Sequence, residues 1–232
     1  MRIPLTRYGL PQVLIFPLVL LALMAALFIA FGAAIWLIPV EAFLFIVLCW
    51  LLSFFRDPRR KIVQDEAILY SPADATITEI AVVEHDELGG KTLKISMFLS
   101  VFNVHVNRLP CSARIDKVVY KKGQFKNAMS PEASRDNESN DVYMTRLSEP
   151  KDKLLVRQIT GAVARRIVCE AKENSEYRQG ETYGMMKFGS RAELYLPAGE
   201  GSFEKGFDRF ELCVKIGDPV RAGITPLVRY VS

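Results

Sequence analysis

Tyr183–Pro197, YGMMKFGSRAELYLP, holds a Gly-Ser pair with apolar residues on both sides. Ala192, Leu194 and Leu196 alternate with Arg191, Glu193 and Tyr195, the period-two pattern of a half-buried strand. The chain's other copy, Gly201-Ser202 in AGEGSFEKG, lies among Gly, Glu and Lys and reads as an ordinary turn. A Gly-Ser pair at the edge of a sheet, leading straight into a strand, needs a reason beyond turning the chain.

Outward from this stretch the same pattern recurs. AILYSPADATITEIAVVE contains two apolar runs broken at Pro72-Ala73-Asp74, and KTLKISMFLSVFNVHVNRLP follows a turn at Gly89-Gly90. SARIDKVVYKKG, KLLVRQITGAVARRIVCE and RFELCVKIGDPVRAGITPLVRYVS are rich in β-branched residues and punctuated by turn signals. Phe125–Val142, FKNAMSPEASRDNESNDV, reads as a long polar loop, and NSEYRQGETYGM as a shorter linker. SPADATITEI and VKIGDPVRAGITPL resemble the two signatures of biotinyl/lipoyl-type barrel sandwiches, in which a G-D-x-V-x-x-G turn joins two strands. Here that turn is Gly217–Gly223, with Pro219 fixing φ and the glycines free to take positive φ. The fold class that follows is mainly β, with a barrel-sandwich-like domain over residues 62–232.

The amino-terminal part is different. From Leu10 to Phe55 there is one acidic residue, Glu41, and no basic one. The apolar stretch is too long for a signal sequence and lacks a convincing cleavage site; its length suits two bilayer crossings of roughly 20 residues each. The expectation is a hydrophobic helical hairpin within residues 1–61, with helices at about Pro11–Phe31 and Ala34–Phe55 and a turn at Gly32 or Pro39-Val40-Glu41. Arg2 and Arg7 precede it, and Arg56, Arg59, Arg60 and Lys61 follow it. Basic residues on both flanks place both ends on the cytoplasmic side of an inner membrane, and RDPRRK suits anionic headgroups at about 1 kcal/mol per basic side chain.

A formal charge of +4 is too mild for nucleic acid, and no basic-aromatic stripe or nucleic-acid motif is present. Cys49, Cys111, Cys169 and Cys213 are unpaired in sequence and read as small buried hydrophobes of a reducing compartment. With His85 and His105 the only histidines, no zinc set is expected. His85, in VEHDELGG, reads as a solvent-exposed turn residue.

Three segments taken in order, YSPADATITEI around Asp74, FLSVFNVHVNR around His105 and MKFGSRAELYLP around Ser190, resemble the short bacterial and archaeal type of the phosphatidylserine decarboxylase family. ITGAVARRIV, Ile159–Val168, matches as well, and the resemblance runs from about Tyr70 to the end. It implies a proenzyme that cuts itself between Gly189 and Ser190. Fragments 1–189 and 190–232 would stay associated, and Ser190 would become a pyruvoyl group. That ketone would form a Schiff base with the serine amine of phosphatidylserine and act as electron sink while carbon dioxide leaves.

On this resemblance His105, otherwise a satisfied strand histidine, becomes the proton donor of turnover. Asp74, otherwise an Asx-type turn former, becomes the residue that helps activate Ser190, directly or through a base. Longer members carry a second histidine three positions after the first; Arg108 stands there, with an electrostatic or carboxylate-binding role open to it. Longer members also often have Leu-Gly-Ser-Thr, where this chain has Phe188-Gly189-Ser190-Arg191. Asn137, Glu138 and Asn140 mark the polar loop as a candidate substrate-side lid. Phosphatidylserine and anionic membrane lipid are the implied partners, and self-association is left open. The alternatives are a decarboxylase of an archaetidylserine-like lipid, a lipoyl- or biotinyl-type carrier at Met186-Lys187-Phe188, or a non-catalytic membrane adaptor.

Overall fold

The computed structural model describes residues 5–162, 166–187, 189–200, 202–203 and 206–231. Arg2, Val163–Arg165, Phe188 and Gly201, used above, lie outside the described residues. The chain divides into two compact units, up to Arg59 and from Arg60 onward.

The first unit is a helical hairpin, α1 (Leu10–Phe31) and α2 (Leu37–Phe54). Both helices are long and apolar enough to cross a membrane. Gly32 closes α1 at φ 62°, its N–H bonded to Phe28 O, so the turn is Gly32–Trp36. Pro39, weighed as a turn residue, instead sits in the first turn of α2, where an absent N–H leaves no intrahelical bond unmade. The apolar side chains that look outward, among them Leu14, Leu18, Ile29 and Ile46, suit a lipid solvent.

The second unit is antiparallel β. Its strands are β1 (Ile68–Tyr70), β2 (Ala75–His85), β3 (Gly90–Leu99), β4 (Val106–Arg108), β5 (Ala113–Lys121), β6 (Ser139–Arg146) and β7 (Lys153–Thr160). They continue as β8 (Arg166–Cys169), β9 (Glu176–Tyr177), β10 (Thr182–Lys187), β11 (Ser190–Pro197), β12 (Phe210–Leu212), β13 (Pro219–Val220) and β14 (Pro226–Tyr230). One short helix, α3 (Ala133–Asp136), interrupts the polar segment. An eight-stranded sheet runs β13-β2-β3-β11-β7-β6-β5-β9, with β1-β14-β12 and β4-β10-β8 as smaller sheets. The core is built from cross-strand rows such as Leu93/Leu196, Ile95/Leu194/Val156 and Met97/Ala192, all fully buried.

The two barrel-sandwich signatures meet directly. β13 pairs with Ala75 and Thr76, Ile77 and Gly217–Asp218 exchange backbone bonds, and Gly217 and Gly223 take φ of 94° and 70°. Four local expectations change. Ser139–Val142 belongs to β6 rather than to the polar loop, because Asn140 bonds Gln158 and Asp141 pairs with Arg157, so polar residues are satisfied inside a sheet. The segment taken as a linker at Asn174–Met185 contains β9 and most of β10. His85 is half-buried at the end of β2, its ring 5.7 Å from that of Tyr195 and 6.2 Å from that of Tyr143. Among the cysteines only Cys111 is buried; Cys169 is partly so, and Cys49 and Cys213 are exposed.

Candidate active site

β11 is not an edge strand. It lies between β3 and β7, with Ser190 opposite Leu99 on one side and Thr160 on the other. Nor is it half-buried: Ser190 through Leu196 are all buried, because Arg191, Glu193 and Tyr195 are covered on their own face. Arg191 Nη2 lies 2.8 Å from Glu79 Oε2 and donates to Ser96 Oγ at 2.9 Å. Tyr195 and Ser134 donate to Glu193 Oε2 at 2.6 and 2.9 Å. Burial and the neighbouring Glu193 charge push the Tyr195 phenol up, so it stays a donor. A strand with polar residues at alternate positions is thus central rather than marginal.

Ser190 shares its face with Ala192 and Leu194, so its hydroxyl points toward the core. The residue is fully buried and its Oγ has no hydrogen-bond partner among the described residues. An unpaired buried hydroxyl costs on the order of 1–3 kcal/mol, and such atoms in native folds call for an explanation. Gly189 is the corner where the chain leaves the β4-β10-β8 sheet for the large one. Its φ of 65° is a conformation that suits glycine.

His105 reaches this corner from the segment ahead of β4. Its Nδ1 is 2.9 Å from Asn103 O, a pure acceptor, so the proton sits on Nδ1. Nε2 is left with its lone pair, and the Gly189 N–H points at it over 3.4 Å. The imidazole is fully buried. Gly161, at the end of β7, closes the other side. A Cβ there would stand 2.4 Å from the Gly189 carbonyl oxygen and 3.2 Å from Ala128 Cβ. Sequence reading passed over Gly161 and Asn103; the only local signal was a glycine breaking the β-branched run ITGAV.

The other expected residues fall elsewhere. Asp74 receives both guanidinium nitrogens of Arg60, each at 2.7 Å, and the Ala222 N–H at 2.8 Å. None of these bonds runs to Ser190 or His105. The turn it belongs to does reach β4, since Pro72 O accepts the Arg108 N–H at 3.0 Å. Arg108 Nη1 donates to Gly180 O at 3.1 Å. Asn137 is buried and staples its loop, bonding Lys126 O and, at 2.7 Å, Thr160 O. Glu138 O accepts from the Thr160 N–H and hydroxyl. Asn140, Gln158 and Asn107 form a buried amide chain, the last link 2.9 Å long, that ties β6 and β7 to β4. Lys187, two residues before Gly189 and opposite Arg166, is buried; desolvation, then the Arg166 charge, lowers its pKa. No group of three or more metal-ligating side chains occurs among the described residues.

The family model for phosphatidylserine decarboxylase matches residues 48–227. A phosphatidylserine decarboxylase proenzyme of Pelagibacter ubique is 41% identical over 184 residues, 78% of this chain and 80% of that protein. One of Rhodopirellula baltica is 37% identical, covering 98% of this chain and 89% of its own length. One of Syntrophus aciditrophicus is 36% identical over 96% of each.

Proposed function

The chain belongs to the phosphatidylserine decarboxylase family, a family of carboxy-lyases made as proenzymes, and from that premise we propose that its own Ser190 cuts the Gly189-Ser190 bond and becomes a pyruvoyl group. The reaction is removal of the serine carboxyl group of phosphatidylserine as carbon dioxide, leaving phosphatidylethanolamine. The observation that carries the proposal is the Ser190 hydroxyl, buried and without a partner among the described residues, beside a glycine at φ 65° against whose carbonyl oxygen Gly161 packs so closely that a Cβ there would stand 2.4 Å away.

In this reading Ser190 Oγ attacks the Gly189 carbonyl carbon, and its proton passes to the freed amide nitrogen, turning the amide into an ester. Loss of the Cα proton then expels Gly189 as a carboxylate and leaves dehydroalanine at position 190. Water converts the resulting enamine to a ketone with release of ammonia, so the small fragment begins with a pyruvoyl group. Its ketone supplies an electron sink for the bond that carbon dioxide leaves. His105 Nε2, the unprotonated nitrogen aimed at Gly189, is the base available for the first proton transfers. Once protonated it is the donor to the substrate carbon.

Asp74 acts as a positioning residue. Its pairing with Arg60 and Ala222 fixes the turn that holds β4, and with it His105. Asn137 and Glu138 hold Thr160, the β7 residue beside Ser190, Asn140 holds Gln158, opposite Ala192, and Arg108 fixes β4 against Gly180. A catalytic unit on the cytoplasmic face is supported by the basic residues at both ends of the hairpin.

Intact mass under denaturing conditions tests the proposal. Wild-type protein should give two fragments meeting at Gly189, the smaller lacking a free amino terminus, and Ser190→Ala should remain one chain. A wild type recovered whole and without a carbonyl-reactive terminus sinks it.

A further inference from the structure

Two loops wrap the Gly189 corner. Val101 Cγ1 lies 3.8 Å from where a Gly189 Cβ would be, and Ala128 meets Gly161 beside the Gly189 carbonyl. The next residue along in each loop is large, apolar and exposed: Phe102 at 71% and Met129 at 57%, with Phe125 at 40% nearby. The second loop is also basic. Lys121, Lys122, Lys126 and Arg135 stand against Glu132 and Asp136 between positions 121 and 136, and exposed Arg166 opens β8 opposite Lys187, two residues before Gly189.

We propose that Phe102, Phe125 and Met129 form a second membrane contact of the enzyme, separate from the hairpin, that seats the loops around the Gly189 corner in an anionic bilayer surface. The inference rests on the decarboxylase reading, because it needs a substrate whose headgroup must reach a fully buried serine while its acyl chains stay in lipid. Large apolar side chains at loop tips beside basic ones match the composition of interfacial anchors. A protein partner fits less well. Three side chains of about 150–250 Å² each, here exposed at 71%, 57% and 40%, offer roughly 250–420 Å², about half or less of the roughly 800 Å² that each partner gives to a standard protein interface.

The test uses the full chain reconstituted in vesicles containing phosphatidylserine, in a Trp36→Phe, Trp50→Phe background. Single reporters are introduced at Phe102→Trp, Met129→Trp and, as a control on an exposed turn, Leu147→Trp. Lipid brominated near the headgroup end of its acyl chains should quench the first two at least about twofold more than the third. Equal quenching at all three positions, or none at 102 and 129, overturns the proposal. Protection of position 102 that depends on protein concentration, without lipid quenching, also overturns it and assigns the surface to a second copy. The readout works equally in a Ser190→Ala chain, so failure of self-cleavage leaves it intact. In the cleaved enzyme, Phe102→Ser with Met129→Ser should raise the KM for vesicle-borne phosphatidylserine about tenfold or more, from the loss of two inserted side chains.

Discussion

Gly161→Ala isolates the geometry of the proposed cleavage. The new methyl would stand 2.4 Å from the Gly189 oxygen and 3.3 Å from the Gly189 carbon, against a normal contact of 3.4–4 Å. Something must yield by about 1 Å, and on both sides of the methyl there is backbone or another buried methyl. Overpacking of that size costs about 1–3 kcal/mol of stability. The larger effect is on rate. Misplacing a reacting carbonyl by about 1 Å costs on the order of 10²-fold, because the hydroxyl no longer meets it in an attack-ready arrangement. Precursor conversion followed by gel or mass after synthesis in a cell-free system should therefore slow at least about 10²-fold in Gly161→Ala. Val156→Ala, in the fully buried core of the same strand, is the control: it should lose about 1–3 kcal/mol yet cleave at the wild-type rate. A Gly161→Ala precursor that folds and cleaves normally would refute the assignment of Gly161 as the space left for the scissile carbonyl.

Arg60→Ala leaves the mostly buried Asp74 carboxylate without its guanidinium and should cost about 3–5 kcal/mol in denaturant melts, much of it recovered by adding Asp74→Asn. Burial raises the Glu79 carboxyl, but the hydrogen bond and charge of Lys94, with Arg191 and Ser96, hold it on balance below its ordinary 4.5. A depressed folded pKa contributes stability above the unfolded value and loses it as pH falls through the folded one. Glu79→Gln should therefore flatten the acid limb of a Tm-against-pH curve below about pH 4.5 and leave the neutral region nearly parallel to wild type. Burial pushes the Cys111 thiol up to about 12, so under native conditions it should resist iodoacetamide that alkylates exposed Cys213, and become reactive only on unfolding.

Most strands and the hairpin were legible in sequence because their signals are local: apolar alternation, β-branched runs, and glycines where φ turns positive. Failures came wherever a polar residue finds its partner on a distant strand. The first half of β6, Ser139–Val142, reads as loop because Asn140 and Asp141 look solvent-bound until Gln158 and Arg157 are beside them. β11 was read as half-buried for the same reason, since Arg191 and Glu193 are covered by Glu79, Ser96 and Ser134. Arg60 read as one more flanking charge for the membrane, yet it is folded into the catalytic unit against Asp74. The Gly-Ser pair and His105 were found through three ordered segments. Their partners Gly161 and Asn103 act through backbone atoms, which leave almost no trace in residue type.

The placement of the pair in a central strand also answers what an edge could not. A cut at Gly189 removes only the link between β10 and β11. Residues 190–197, paired with β3 over the whole strand and with β7 over Ser190–Tyr195, would keep both ladders. Farther along the same fragment, β13 is held by β2 and β14 by β1. Arg191, which would follow the proposed cut, is ion-paired to Glu79, which would lie in the other fragment. An edge strand would keep one ladder and a freshly freed end open to water; this one would keep two ladders and a half-buried clamp. Ser190 can thus lose its upstream neighbour while the strand that carries it stays in register. A new electrophile at position 190 would remain walled from solvent by the same core that oriented the serine.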